Sequence, residues 1–539
     1  MLFFLIENPQ IDICYFVDLL ICRFNTFLYH ALSYYFKTFQ KNIRALTMPS
    51  INQATNHINS NTHFIGRQAD LALLYGLQLK SSASLVVVYG RRRIGKSRLI
   101  EEFGSKSQFY SFSGLYPEKG VTPQDQMDEF ITRLKLQCPK SSKKYSEISD
   151  WSEAFFALAQ ETRVGKIVIL LDELSWMAQD SPLFLSKLKS AWDLEFKKNP
   201  NLVLVLCSSV SVWVDQNLIS NKSFYGRISL KLKLGELSLA ECNQFWQSRS
   251  SLISDYDKLK ILSVTGGVPK YLEEIRLDQS ADDNIKQLCF TPTGLLFNDY
   301  DYIFSSVLEQ KNPIYQDIVE ALSEGPLQRE ALLEKLEKKS GGPLSNFLNN
   351  LECSGFITRD FTWDLGSGKP SKLSQYRLSD NYLRFYIKYI LPNFAKIKKN
   401  QFEHQALSSL PGLTGIMGLQ VENLVLHNRA RLKNLLGIAP DDVLSEGPFF
   451  QRPTQRQKGC QIDYLIQTKL GVLYACEIKF TRTSLKLELV QAMKEKLARA
   501  ALPKNISIIP ALIHSGDLHD SLLDANFFAR VISLSDFLI

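Results

Sequence analysis

Residues 84–103 read SLVVVYGRRRIGKSRLIEEF. The run Leu85–Tyr89 is apolar and β-branched, with the length of a buried strand, and SRLIEEF continues as a helix. Between them, GRRRIGKS fits the pattern GxxxxGK[ST]. Gly90 and Gly95 free the backbone to curl its N–H groups around phosphates, and the helix N-terminus adds positive potential. Gly90, Arg91, Arg92, Arg93, Ile94, Gly95, Lys96 and Ser97 are therefore the candidate nucleotide loop. Lys96 is expected at the terminal phosphates and Ser97 on a Mg²⁺ ion. Strand, loop and helix stand in the order this chemistry needs.

A second element supports the first. KIVILLDELSW (166–176) is an apolar strand that ends in Asp172 and Glu173. The first acid can hold the water shell of Mg²⁺, and the second can polarise an attacking water. A third strand, NLVLVLCSS (201–209), ends in Ser208 and Ser209, placed for a polar contact near the γ-phosphate. Neither LSGGQ nor NKxD occurs, so ATP is the expected nucleotide.

Around these elements strands and helices alternate to about residue 235, which is the grammar of a doubly wound parallel sheet. Helices are expected at Gln126–Leu136 and Trp151–Glu161. Short amphipathic helices follow, as in a lid. PIYQDIVEALSEG, QREALLEKLEKK, GGPLSNFLNNLECSG and the strands GFITRDF and SQYRLSD then give winged-helix order. The segment AKIKKNQ (395–401) reads as a linker to a last α/β domain. The expected fold class is α/β, divided as an extension 1–47, a P-loop NTPase domain 48–235, a helical lid 236–305, a winged-helix domain 306–390 and a nuclease-like domain 405–539.

From FIGRQADLALL (64–74), VVYGRRRIGKSRLIEEF (87–103), YSFSGL (110–115), ILLDELSW (169–176), FYGRI (224–228) and TGGVPKYL (265–272), the chain resembles the archaeal-type ATPases of the STAND/AAA-like branch. The resemblance implies that Phe64, Gly66 and Arg67 lie near the adenine and that Gly267 and Pro269 close over the base from the lid. It implies that Arg227 senses or stabilises the γ-phosphate. Many relatives have Gly-Ser-Ser where this sequence has Cys207, Ser208 and Ser209.

QIDYLIQTKLGVLYACEIKF (461–480) is a second candidate site. A hairpin centred on residue 470 sets Asp463 opposite Glu477, with Lys479 on the same strand face as Glu477. Glu422 lies upstream on the amphipathic helix GLQVENLVLHNRARL (418–432). This arrangement resembles the PD-(D/E)xK nuclease fold, with Ile462 where a Pro is expected. The resemblance implies that Asp463, Glu477 and Glu422 hold Mg²⁺ and that Lys479 orients the water. The basic segment QRPTQRQKG (451–459) lies beside it. Surface polarity could also produce such a hairpin. The third winged helix, LSNFLNNLECSG, has no Lys or Arg, which suits packing or dimerisation at least as well as DNA reading.

The 539 residues are too many for one core, and a net charge of +8 leans toward nucleic acid without requiring it. Nine scattered cysteines without a CxxC pair indicate neither a zinc site nor a disulfide framework, and a reducing cytoplasm fits them best. The apolar residues 1–47 are interrupted by charge. Their longest uncharged window, Phe24–Phe36, is 13 residues, too short to cross a bilayer. Translation from Met48, or a peripheral membrane helix, would explain them, and no integral membrane association is expected. The partners expected are ATP and DNA or RNA. The alternative is a regulatory protein in which ATP controls a homo-oligomer or partner binding, without cleavage.

Overall fold

A computed structural model of the protein describes residues 64–145, 148–179, 181–307, 313–336, 342–402, 404–453, 455, 458–500 and 502–539. The extension 1–47 and the start at Met48 lie outside them. Five strands form the first sheet: β1 (Ser84–Tyr89), β2 (Gln108–Ser113), β3 (Ile167–Asp172), β4 (Leu202–Ser208) and β5 (Ile228–Lys233). Their order is β2-β3-β4-β1-β5, and every pairing is parallel. All five strands thus end on one edge. That edge gathers the loop after Tyr89, the acids after Leu171 and the serines after Cys207.

The three central strands are buried along their length, which the continuous apolar runs dictate. Along β1, Val86 and Val88 face one core and Leu85 and Val87 the other. The edge strands β2 and β5 are mostly half-buried or exposed and carry no long apolar run, so the sequence hid them. The two expected helices run Pro123–Gln137 and Trp151–Glu161. Thr122 and Asp125 close a capping box over the first, with Pro123 in its opening turn, and Asp150 caps the second.

Helices Leu239–Asn243, Asp255–Thr265, Pro269–Leu272, Ala281–Cys289, Leu295–Asn298 and Tyr300–Val307 follow. Next come helices Ile314–Leu322, Arg329–Lys335 and Gly342–Cys353. The short strand β6 (Leu327–Gln328) and the hairpin of β7 (Ile357–Trp363) and β8 (Pro370–Leu378) form an antiparallel sheet. The helix, helix, helix, hairpin order read from the sequence is the order observed. A last sheet, ordered β13-β12-β11-β10-β9, comprises β9 (Val443–Gln451), β10 (Cys460–Thr468), β11 (Val472–Lys479), β12 (Ser507–His514) and β13 (Arg530–Ser533).

Residues 64–539 pack as one compact unit, and one apolar core runs from Leu71 to Leu538. The segment read as a linker is held to that core. Ile397 is buried, and just beyond it Phe402 stacks on Phe290 with ring centroids 4.1 Å apart. At the other end Phe480 stacks on Tyr256 at 4.5 Å, and Arg482 pairs with Asp257 at 2.6 Å. The C-terminal sheet is therefore seated on the helix Asp255–Thr265.

Beneath the first sheet Phe155 is buried among Phe130, Trp151 and Phe184. Phe155→Ala should cost about 3–5 kcal/mol through lost burial and a cavity. Denaturant unfolding followed by tryptophan fluorescence checks this, and an unchanged midpoint would contradict the packing described.

Candidate nucleotide loop and acid–lysine site

Gly90 passes so close to the chain leaving β5 that an added Cβ would lie 2.4 Å from the carbonyl oxygen of Leu234. Gly95, at φ 88°, starts the helix Lys96–Gly104. Lys96 is buried, and its Nζ donates to the carbonyl oxygens of Gly90 (3.0 Å) and Arg91 (3.1 Å). Ser97 Oγ donates to Asp172 Oδ2 at 2.5 Å, so the hydroxyl and the acid at the end of β3 already meet. Glu173, held at φ 47°, accepts from Ser209 N (3.1 Å) and Ser209 Oγ (2.7 Å). Ser208 pairs in register with Tyr89, but its hydroxyl meets Ser175 Oγ at 3.0 Å. Of the two serines, Ser209 is the one that touches the acid.

The neighbouring segments brace this loop. Arg67 donates to the carbonyl oxygens of Ile94 (3.1 Å) and Gly235 (2.6 Å), and burial pushes its pKa down. Gly66 precedes it at φ 73°, and Phe64 packs on the core. Pro269 lies 3.7 Å from where a Cβ on Gly95 would stand. Gly267 N donates to Glu236 Oε2 at 2.8 Å. The GGVP turn is thus seated on the loop itself.

Two of the three loop arginines, Arg91 and Arg93, reach into other parts of the fold. Arg91 pairs with Asp380 and, at 3.5 Å, with Glu236. Arg93 pairs with Asp299 at 2.8 Å. Asp299 accepts from Tyr271 Oη at 2.5 Å, and burial raises its pKa. Burial also works to raise the carboxyl of Glu236, but His427, Arg91 and Gly267 N outweigh it and bring it down to about 2.

Arg227 requires a correction. Ile228 pairs with Leu85, at the start of β1, so Arg227 stands on the sheet edge opposite the nucleotide loop. Four residues of strand at about 3.3 Å each separate the two edges. Its guanidinium is engaged by Asp193 at 2.9 Å through both Nε and Nη2. It cannot sense a γ-phosphate bound to its own chain.

In the C-terminal sheet the pairs run from Tyr464↔Cys476 to Gln467↔Leu473, a register centred on residue 470 as the spacing requires. Asp463 Oδ2 accepts from Ile478 N at 2.9 Å. Glu477 is buried, and Lys479 Nζ lies 2.6 Å from its Oε1. Lys496, on the helix Glu488–Arg499, places its Nζ 2.6 Å from Glu477 Oε2 and 3.5 Å from Asp463 Oδ1. The two acids share one face and converge on one cation.

Burial, then the charge of Asp463, pushes the Glu422 carboxyl up to about 7. Burial and Glu477 raise Asp463. Burial disfavours ionisation of Glu477 too, but Lys479 and Lys496 prevail and hold its pKa low. Among the described residues no three His, Cys, Asp or Glu side chains gather as a metal-holding group. The three-carboxylate seat expected from the sequence is corrected to two: Glu422 does not join Asp463 and Glu477 in a metal-holding group, and the ammonium of Lys496 stands where those two acids meet. Nothing in the mixed polar helix ELVQAMKEKLAR singled that lysine out.

Residues 64–275 match the family model of an ATPase domain predominantly from Archaea. This segment is an archaeal-type ATPase domain. An uncharacterised protein of Methanocaldococcus jannaschii is 24% identical over 350 residues, spanning 64% of this chain and 73% of that one. The Walker-type ATPase of Pyrococcus abyssi is 19% identical with a TM-score of 0.47, over 60% of this chain and 96% of its own. The ORC2 protein of Aeropyrum pernix, in its ADPNP–ADP complexes, is 14% identical with a TM-score of 0.39, over 64% and 98%.

The loop of the ATPase domain fits a polyphosphate. Arg92 Nη1 and Arg93 Nη1 are buried donors without acceptors, and Lys96 is satisfied only by the loop's own carbonyls. Phosphate oxygens would supply acceptors to all three. Lys96→Ala should weaken ATP binding about 10- to 100-fold in a calorimetric titration. Glu173→Gln should bind ATP like the parent chain but turn it over about 100-fold more slowly in a phosphate-release assay.

Proposed function

We propose that this protein is an ATP-driven switch whose nucleotide loop governs a metal-dependent nuclease-like site acting on nucleic acid. The observation that carries this reading is the buried link from Arg91 to the C-terminal unit. Asp380, its partner, caps the helix Asn381–Phe385. Asn381 Nδ2 donates to the Gln420 carbonyl oxygen at 3.1 Å, and Asn423 Nδ2 donates to Asn381 Oδ1 at 3.0 Å. Gln420 and Asn423 flank Glu422 on the helix Leu413–His427. Glu236 adds a second path, to His427 at 3.6 Å. A phosphate in the loop competes with Asp380 and Glu236 for Arg91, and such differential contact is what shifts a two-state element.

Buried polar atoms along the path support a second arrangement. Arg384 Nε and Nη1 and both polar atoms of the Gln420 side chain lack partners. Such groups are costly where they stand, so another packing can compete.

In the ATPase domain Lys96 binds the terminal phosphates, and Ser97 and Asp172 would hold Mg²⁺, which supplies charge neutralisation there. Glu173, fixed by Ser209, orients the attacking water. Phe64, Gly66, Arg67, Gly267 and Pro269 frame the base and the loop. In the C-terminal site Asp463 and Glu477 would hold a second divalent ion, which would supply electrophilic activation of a phosphodiester. Lys479 orients the water. The three helices and hairpin of 313–380 form a winged helix that packs rather than reads DNA. Seven described cysteines are free thiols, which suits the cytoplasm, and no helix among the described residues is long and apolar enough to cross a membrane.

A second reading, favoured by the lysine seated between the acids, is a regulatory ATPase. There nucleotide state sets partner binding or a homo-oligomer, and nothing is cut. Incubating the full chain with Mg²⁺ and mixed DNA and RNA, with and without ATP, separates the two. The expected result is cleavage that depends on ATP and is abolished by Asp463→Ala. Absence of cleavage, with nucleotide still altering hydrogen exchange across Leu413–His427, would establish the regulatory reading instead.

A further inference from the structure

All four carboxylate oxygens of Asp463 and Glu477 face a donor. Glu477 Oε1 meets Lys479, Glu477 Oε2 meets Lys496, Asp463 Oδ1 meets Lys496, and Asp463 Oδ2 accepts from Ile478 N. Among the described residues Lys496 is the one that pairs with both acids, and it comes from a different element, the helix Glu488–Arg499. Its side chain is 29% exposed, so the ammonium has a way out to solvent, and Lys carries it on a flexible four-carbon stem.

We propose that Lys496 is a built-in counter-ion occupying the divalent-ion seat of the C-terminal site, displaced when a metal enters and then available to a backbone phosphate of the nucleic acid. This rests on the metal-dependent reading of that site. The ammonium stands 2.6 Å from Glu477 Oε2, whereas a divalent ion of the Mg²⁺ type needs oxygens at about 2.0–2.1 Å. An ammonium and a divalent ion drawn to the same space between the two acids would lie about 3–4 Å apart, and like charges that close repel strongly in a half-buried site. Metal entry is therefore an exchange of cations. The arrangement has a purpose without metal as well, since two acids facing each other in a buried hairpin repel unless a cation lies between them. Once freed, the ammonium remains tethered beside the seat as a point charge suited to a phosphate oxygen.

The sign of the effect distinguishes this role from a structural ion pair. A lysine that merely braces the acids helps metal binding, so removing it weakens the site. A lysine that occupies the seat competes, so removing its charge strengthens the site. The experiment titrates Mn²⁺ into the nucleotide-free full chain by calorimetry, with Lys496→Gln, Lys496→Met and Lys496→Arg compared with the parent. Asp463→Asn identifies heat arising at this seat.

Lys496→Gln and Lys496→Met should bind Mn²⁺ about tenfold or more tightly than the parent. Lys496→Arg keeps the charge and should bind no better. Equal or weaker Mn²⁺ binding in the two neutral variants, with cooperative melts retained, overturns the proposal. So does an absence of Asp463-dependent Mn²⁺ binding in every chain. Tighter binding without cleavage of any nucleic acid supports the counter-ion role while removing the nuclease reading. Cleavage by the parent with Mn²⁺ affinity unchanged in the neutral variants does the reverse.

Discussion

The guanidinium of Arg91 joins three parts of the fold at one point. It leaves the nucleotide loop, meets Asp380 at the end of the hairpin unit, and meets Glu236 where the first sheet gives way to the helices after β5. All three groups are largely removed from water, so none can lose its partners cheaply. Glu236 in turn holds the GGVP turn through Gly267 N, and that turn sits on Gly95. A buried charge pair of this kind adds little net stability over apolar packing, but it specifies a geometry. Here it specifies that the loop, the helices after β5 and the C-terminal unit share one arrangement.

The parallel sheet supplies the other constraint. Because every pairing is parallel, chemistry-bearing residues at strand ends collect on one edge and residues at strand starts are excluded from it. This brings Ser97, Asp172, Glu173 and Ser209 into mutual hydrogen bonds across elements far apart in sequence. The same rule removes Arg227, which precedes β5 and lies at the wrong edge. Its bidentate pair with Asp193 is the ordinary fate of an arginine on a helix-packed surface.

The two sites solve opposite electrostatic problems. The loop is rich in donors and short of acceptors, with Arg92 and Arg93 each leaving a buried N–H group unpaired. The C-terminal hairpin is rich in acceptors, and two lysines answer them. Glu422 shows how far that balance goes, since burial and the charge of Asp463 carry its carboxyl to about 7 while the lysine-bracketed Glu477 remains low.

Short-range patterns were legible in the residues alone. GRRRIGKS following a β-branched run, an apolar strand ending in Asp172-Glu173, and a turn at 470 that sets Asp463 against Glu477 are all local, because strand period and turn length are properties of a few consecutive residues. The edge strands β2 and β5 were not legible, since half-exposed strands need no apolar run. Tertiary structure alone decided which charges meet. Lys496, Asp380, Glu236 and His427 sit on separate elements, and ordinary polar residues carry no mark of their partners until packing closes the distance. The segment read as a linker illustrates the same limit. Its lysines look solvated, but Ile397 within it and Phe402 just beyond are buried, because the C-terminal sheet and the helices after β5 share one core.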